Sequence, residues 1–380
     1  MKHAGPVKIT VLQTFKSYYP EKGGIQTVMK DIVFNLRGFF NFKILVSRVR
    51  GLGRQEKEAG VFVRRCMSLF TLFSLPIAPF YIFWFWWYAR RVEIVDHHYP
   101  FPWVDIAVSI YFPKKTKLII HWHAEIIAQK GLAKWLAPCI RKCLQRAHKV
   151  VVATPLHIDN SPYLSTMRDK CVVIPFGTDV KFWATLTAKQ QQQVAELKTH
   201  YPQLLLVVGR LVAYKGIDKL IPIMQELDAQ LILVGDGPQR RLLQGLITQY
   251  NLADKIMIKS DIAQDELKIL LHAAKTLILP SVLSSEAFGI VQIEAMSCAK
   301  SIINTSLNSG VEWVARDQQE ALTVPPGDSS ALMQAIKKLL ADPELANRLG
   351  QAGFKRAQEM FSQEKFSQAM KDLYENVLYT

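Results

Sequence analysis

The sequence predicts an α/β protein made of two Rossmann-like, doubly wound domains, and three observations carry that expectation. At 380 residues the chain exceeds one ordinary core, and a domain size of roughly 100 to 200 residues implies two. In the second half, short apolar runs alternate with segments of amphipathic helical pattern, which makes the sheet parallel. The first half repeats this rhythm less cleanly. Hydrophobic residues make up 49% and charged residues 21%, a balance that excludes a disordered or collagen-like chain and calls for packed cores.

Taken in chain order, VKITVLQTF (7 to 15), FKILVSRV (42 to 49), EIVDHHYP (93 to 100), KLIIHWHAEI (117 to 126) and KVVVATP (149 to 155) are strand-like, and each runs into turn chemistry. VIPFGTDVKFW (173 to 183) carries Pro, Gly and Asp and suits a linker, and the polar KQQQQVAELK after it suits a solvated helix. The boundary is therefore set at Phe182, giving domains of residues 1–182 and 183–357. Strands of the second domain are expected at Leu204 to Val208, Leu231 to Gly235, Lys255 to Ile258, Leu277 to Pro280 and Ser301 to Asn304. Right-handed crossovers between parallel strands put ligands at the strands' carboxyl ends. The final stretch is helical in period, so residues 358–380 are expected to pack back on the first domain.

The formal charge of +15 is unevenly shared: residues 1 to 170 hold 26 Lys and Arg against 10 Asp and Glu, and the remainder hold 21 against 22. The asymmetry points to an anionic partner for the first half, a membrane surface or a phosphorylated lipid and not nucleic acid, since no zinc-finger spacing or RNP-like motif is present; the plainer reading is a basic solvated surface. From Met67 to Ala89 there is no charge, and the run ends in the aromatic FYIFWFWWYA before Arg90 and Arg91. Its length suits a spanning helix, but Pro76 and Pro79 break it. An interfacial patch, with Arg64, Arg65, Arg90 and Arg91 meeting anionic headgroups, is preferred; a buried helix and a true span are the alternatives. Five scattered cysteines and an opening Met-Lys-His point to a reducing, cytoplasmic compartment. Cys139 and Cys143 lack a matching pair for a zinc site and are read as structural.

SSEAFGIVQIEAM (284 to 296) sets Glu286 and Glu294 eight positions apart. A helix starting near Phe288 would aim its free amides at a diphosphate. Eight helical residues rise about 12 Å, comparable to the span from sugar to ribose in a nucleotide sugar. The plainer reading is one exposed glutamate at a helix start and another on its surface. VVGRLVAYKG (207 to 216) shifts the balance, because it puts Arg210 and Lys215 at the end of a parallel strand, where they can clamp a diphosphate. The chain has no Asp-x-Asp pair to hold a divalent metal there. LVGDGP (233 to 238) lacks the third glycine of a dinucleotide fingerprint.

With Gly23 and Gly24 near its start, Arg210 with Lys215, and Glu286 with Glu294 in EAFGIVQIEAM, the chain resembles the family 4 glycosyltransferases over nearly its whole length. HWHAEI and SLNSGVEWV resemble the bacterial branch that builds lipopolysaccharide and surface polysaccharides. The resemblance implies the GT-B fold, two Rossmann-like domains facing a central cleft. It also implies metal-independent, retaining transfer of a hexose from a GDP- or UDP-linked nucleotide sugar, with mannose suggested, to a lipid-linked or polysaccharide acceptor at the cytoplasmic face of the inner membrane. No cofactor is expected. Gly23 and Gly24 would let the backbone approach the donor phosphate, and Arg210 and Lys215 would neutralise the leaving diphosphate. Glu286 with the amides of Phe288, Gly289 and Ile290 would hold the donor sugar, Glu294 the ribose hydroxyls, and Gly235 would lie near the base. His123, with His121 as the competing choice, would stand beside the donor sugar. Many relatives carry Asp where this chain has Glu125, which leaves the role of that residue open. His97 and His98 are candidates for the acceptor side. The alternative functions are a soluble GT-B enzyme acting on a small acceptor such as a sugar phosphate, and a non-catalytic binding member of an assembly complex.

Overall fold

In the computed structural model the described residues run from 8 to 379, leaving out 22, 59, 73, 74 and 125–129. The chain divides into two compact units. One takes the chain up to Pro175 and again from Phe366, and the other takes Phe176–Lys365.

The first unit is built on strands β1 (Thr10–Thr14), β2 (Asn41–Ser47), β3 (Arg54–Glu58) and β4 (Val61–Cys66), a short hairpin β5 (Thr71–Leu72) and β6 (Leu75–Pro76), then β7 (Ile94–Tyr99), β8 (Lys117–Trp122), β9 (Lys149–Val152) and β10 (Cys171–Val173). All but the hairpin join one sheet in the order β10-β9-β8-β7-β1-β2-β4-β3, in which only the β3 and β4 pair is antiparallel. Every residue of β7 is buried, as expected of a parallel strand covered on both faces. The helix Gly24–Leu36 lays Val28, Met29, Ile32, Val33 and Leu36 into the core, an apolar stripe at helical spacing. The C-terminal helix Gln363–Tyr379 buries Phe366, Met370, Leu373, Tyr374 and Val377. Tyr374 meets Phe40 edge-on with ring centroids 5.3 Å apart.

The uncharged aromatic run forms the hairpin and a helix of nine residues, Tyr81–Ala89. No helix among the described residues is long and apolar enough to cross a membrane. The helix is two-sided: Tyr81, Phe85 and Tyr88 are buried, while Phe80, Phe83 and Trp87 lie open. Arg91 sits 3.7 Å over the Trp87 ring and Arg90 5.1 Å from Tyr111. Arg65 departs from the sequence expectation. It is buried and bonded to Glu56 and Glu58, at 2.5 and 2.7 Å, so its charge is already matched inside the protein.

The second unit carries β11 (Leu204–Val208), β12 (Gln230–Val234), β13 (Ile256–Lys259), β14 (Thr276–Ile278), β15 (Ser301–Thr305) and β16 (Ala321–Val324). They form one wholly parallel sheet in the order β13-β12-β11-β14-β15-β16. Counted from β11 this is the 3-2-1-4-5-6 order of a Rossmann sheet, whose direction of winding reverses between β11 and β14. Residues 176 to 184 already belong here. Asp179 caps the helix Val180–Ala184 by accepting from the Phe182 amide at 2.9 Å, buried Trp183 donates to Thr178 Oγ1 at 2.8 Å, and Phe176 packs edge-on against Phe288. This stretch is a packed part of the unit, and the change of unit falls ahead of Phe182.

Candidate functional site

The reversal of winding in the second unit brings the loops after β11 and β14 together. The first carries Arg210 and ends in a tight turn, Ala213–Lys215, closed by Gly216 at φ 64°. A β-carbon at Gly216 would lie 2.3 Å from the Pro280 carbonyl oxygen, so glycine lets this turn sit against the loop after β14. Gly235, at the end of β12, is under the same constraint: φ is 146°, and a β-carbon would fall 1.9 Å from the Gly209 carbonyl oxygen.

Lys215 and Glu286 meet as a nearly buried ion pair, both less than 10% exposed. Ser281 donates its hydroxyl to Glu286 Oε2 at 3.1 Å, and Ser309 donates to the Glu286 backbone carbonyl at 2.9 Å, so side chain and loop are each fixed. The Lys215 ammonium lies against Gly209, where an added β-carbon would stand 3.3 Å from it. Arg210 is exposed. Burial pushes the Tyr214 phenol above its ordinary pKa and the charge of Glu286 adds to the shift, while Lys215 and Arg210 oppose it; these charges share one neighbourhood.

The helix expected near Phe288 begins later, at Ile290, and ends at Ser297. Gly289 precedes it in the left-handed region, φ 71°. Glu286 therefore lies in the loop and Glu294 one turn into the helix, so the spacing between them is part loop and not eight helical residues. Phe288 is buried against Phe176 and Phe361. Glu294 is half-buried on that helix.

In the first unit the winding reverses between β1 and β7. Gly23 precedes the helix Gly24–Leu36 with an extended backbone, φ 170°, which any residue adopts; the conformation itself does not demand glycine. Four histidines lie at the ends of β7 and β8, and all are buried: His97, His98, His121 and His123. His97 and His98 are fully enclosed, so they do not form an open acceptor surface, because the wholly buried β7 carries both inward. His97 faces Thr14 Oγ1 at 3.2 Å and Asp105 at 3.9 Å. His98 Nδ1 is bonded to His123 Nε2 at 2.8 Å, and His98 Nε2 to Gln13 Oε1 at 2.5 Å. Gln13 in turn donates to Asp96 Oδ2 and to Tyr374, each at 2.9 Å, and the Tyr374 hydroxyl donates to Asp96. Burial holds His98 and His123 well below the ordinary histidine pKa, and burial lowers His97 to about 3. Glu125 lies outside the described residues.

His98, His121 and His123 are also the group among the described residues whose ligand atoms lie close enough for a metal, within 4.8 Å of one another. The geometry favours a hydrogen-bonded chain. Both nitrogens of His98 are engaged, and its ring runs nearly parallel to that of His121 at a centroid distance of 4.7 Å, whereas a metal must lie in the plane of each ring it binds.

Sequence reasoning did not single out Ser281, Ser309, Gln13, Asp96 or Tyr374. A signal existed for two of them: Gln13 and Asp96 are polar residues inside strands that are otherwise apolar or buried.

Two family models match the chain: Glycosyltransferase Family 4 over residues 22–182 and Glycosyl transferases group 1 over residues 188–356. The O-antigen chain mannosyltransferase C of Escherichia coli is 27% identical over 377 residues, covering 97% of this chain and 98% of the relative. The N-acetyl-alpha-D-glucosaminyl L-malate synthase of Bacillus anthracis is 30% identical over 304 residues, 76% of each chain. Among solved structures, HepE of Anabaena in complex with UDP superposes with a TM-score of 0.79 at 17% identity, covering 97% of this chain and 100% of HepE.

Proposed function

The chain belongs to the glycosyltransferases of the GT-B fold, and from that premise we propose that it moves a hexose, mannose by preference, from a nucleotide sugar to a lipid-linked or polysaccharide acceptor in bacterial surface-glycan synthesis. The observation that carries this reading is the junction of the β11 and β14 loops. It holds two cations and an anchored carboxylate at the switch point of a Rossmann sheet, where such sheets bind nucleotides. The near full-length likeness to an O-antigen chain mannosyltransferase supports mannose and the polysaccharide acceptor.

In this reading Arg210 offers a planar fork and Lys215 a point charge to the two phosphates, neutralising the negative charge that builds on the leaving nucleotide. Lys215 exchanges its bond to Glu286 for one to phosphate, and Glu286, kept in place by Ser281 and Ser309, accepts from the hydroxyls of the donor sugar. The amides of Phe288, Gly289 and Ile290 add donors at the helix start. Glu294 takes the ribose, Gly235 leaves room near the base, and Gly23 and Gly24 leave room for the phosphate. His123 is assigned to the donor sugar. Cations and amides do the work a divalent metal does elsewhere, and transfer retains the anomeric configuration. The open aromatic face of the helix Tyr81–Ala89, with Arg90 and Arg91, docks on an anionic membrane surface.

The test is a transfer assay with GDP-mannose and UDP-hexoses, in EDTA, on a polyprenyl-linked acceptor. Mannosyl transfer from the GDP sugar, undiminished by EDTA and giving the α-linked product, is expected. Transfer that stops in EDTA, or gives the β-linked product, contradicts the mechanism. A second reading has the enzyme act on a small soluble acceptor, favoured by the likeness to the N-acetyl-alpha-D-glucosaminyl L-malate synthase. It predicts full activity on a soluble acceptor such as a sugar phosphate and no recovery of the protein with vesicles.

A further inference from the structure

Two side-chain amides meet in the interior of the second unit, Gln292 from the helix Ile290–Ser297 and Asn304 from β15, and both are fully enclosed. Gln292 Nε2 donates to the carbonyls of Phe288 and Val311, each at 3.2 Å, and its Oε1 accepts from Asn304 Nδ2 at 2.9 Å. Asn304 Nδ2 also donates to the Ala315 carbonyl at 2.9 Å, and its Oδ1 accepts from the Thr323 hydroxyl at 2.7 Å. Turned over, the Gln292 amide would set its oxygen against two carbonyls, so its orientation is fixed.

The Phe288 carbonyl is thereby drawn toward the enclosed amide, and across a trans peptide the N–H of Gly289 points the opposite way. Gly289 passes close over Gln292: φ is 71°, and a β-carbon there would stand 3.0 Å from Nε2. The glycine is buried, yet among the described residues its N–H meets no acceptor. A buried N–H without a partner is costly, and a ligand oxygen supplies what the protein leaves out. The same loop carries Glu286 with Lys215 beside it, so an anionic oxygen is the fitting acceptor.

We propose that Gln292, backed by Asn304, is a positioning residue that turns the Gly289 N–H to the distal phosphate of a bound nucleoside diphosphate. The distal phosphate is the one next to the sugar, and Glu286, three positions before Gly289, is the residue assigned to that sugar. The inference rests on the reading of this loop as the donor site.

The experiment compares the dissociation constants of GDP with GMP, and of UDP with UMP, for the parent, Gln292→Met and Thr323→Val. Gln292→Met fills the same space without donors and should weaken the diphosphate about tenfold, the worth of one charge-assisted hydrogen bond, while leaving the monophosphate unchanged. Thr323→Val removes a bond from the same network on the side away from Phe288; it should lower the urea midpoint and leave both affinities as they are. Unchanged diphosphate binding in Gln292→Met, an equal loss for the monophosphate, or the same loss in Thr323→Val overturns the proposal. A second measurement needs no core variant. Phe-Gly occurs twice in the sequence, at 176–177 and 288–289, so NMR of the chain labelled with carbon-13 at Phe carbonyls and nitrogen-15 at Gly selects two amides, told apart by Gly177→Ala. The Gly289 signal should move with the diphosphate and much less with the monophosphate; a signal unmoved by a diphosphate that binds overturns the proposal even if Gln292→Met does not fold. If the parent binds neither diphosphate, the donor-site reading itself fails and the proposal with it.

Discussion

Lys215 is confined on two sides, by Gly209 beneath its ammonium and by Glu286 across from it, so its charge is delivered to one place. Lys215→Ala is expected to lower kcat by about 10²- to 10³-fold, the usual loss when a preorganised charge stabiliser is removed. Glu294→Gln, which keeps shape and loses charge, should instead raise the donor KM by about tenfold, the worth of one charge-assisted hydrogen bond. Both are checked by steady-state kinetics, and two variants at the parent rate refute the site assignment. Gly235 supports the same loops through its backbone alone. Gly235→Ala forces a β-carbon to within 1.9 Å of a carbonyl at φ 146°, a strain expected to cost about 3 kcal/mol or more in urea unfolding. Gly245 lies in the helix Arg240–Gln249 with open space around it, so Gly245→Ala should stabilise by about 1 kcal/mol.

The alternation of strands and helices made the second unit legible, since each expected run there became a strand within a residue or two of its place. Apolar runs bounded by turn residues leave little choice of structure. Pattern reading missed β3, the polar edge strand RQEKE, its partner β4, VFVRRC, and the short strands β10, CVV, and β16, ALTV. The stretch read as a linker is packed into the second unit, where its Asp179 caps the helix Val180–Ala184, and composition does not separate such a segment from a linker. The site followed the same division. Arg210, Lys215, Glu286 and Glu294 stand in motifs with regular spacing, whereas Ser281, Ser309 and the chain from Tyr374 to His123 depend on pairings up to 361 positions apart. The aromatic helix shows how far composition reaches: its run of rings predicted burial or an interface, and the helix buries one face and leaves the other open. If the open face docks on membrane, Phe83→Ser with Trp87→Ser should cut recovery on anionic vesicles by on the order of tenfold or more. Transfer to a soluble acceptor should be unaffected, and unchanged recovery would refute the docking surface.

The cost of burying titratable groups in the first unit should be visible in the stability of the entire chain. His97, with a folded value of about 3, and His98 and His123, also lowered, are neutral in the folded protein and charge on unfolding, so the stability they support is lost as pH falls below 6.5. Asp105, raised to about 7, and Asp31, raised to about 6, act in the opposite sense, because burial keeps their protons on in the folded state. Three lowered histidines outweigh two raised carboxyls, and the urea midpoint should be lower at about pH 5.5 than at about pH 7.5; a flat or inverted profile would contradict this balance. The division of labour between the units rests above all on the second one binding a nucleoside diphosphate. Thermal unfolding of the parent and of Lys215→Ala, with GDP, UDP and ADP in turn and EDTA present, addresses that claim most directly. At 100 times its dissociation constant a ligand specific for the folded state adds about 2.7 kcal/mol, so one nucleotide, GDP on the mannosyl reading, should raise the parent's midpoint and leave that of Lys215→Ala almost unmoved. No shift with any of the three, or a shift of equal size in the variant, would contradict the account.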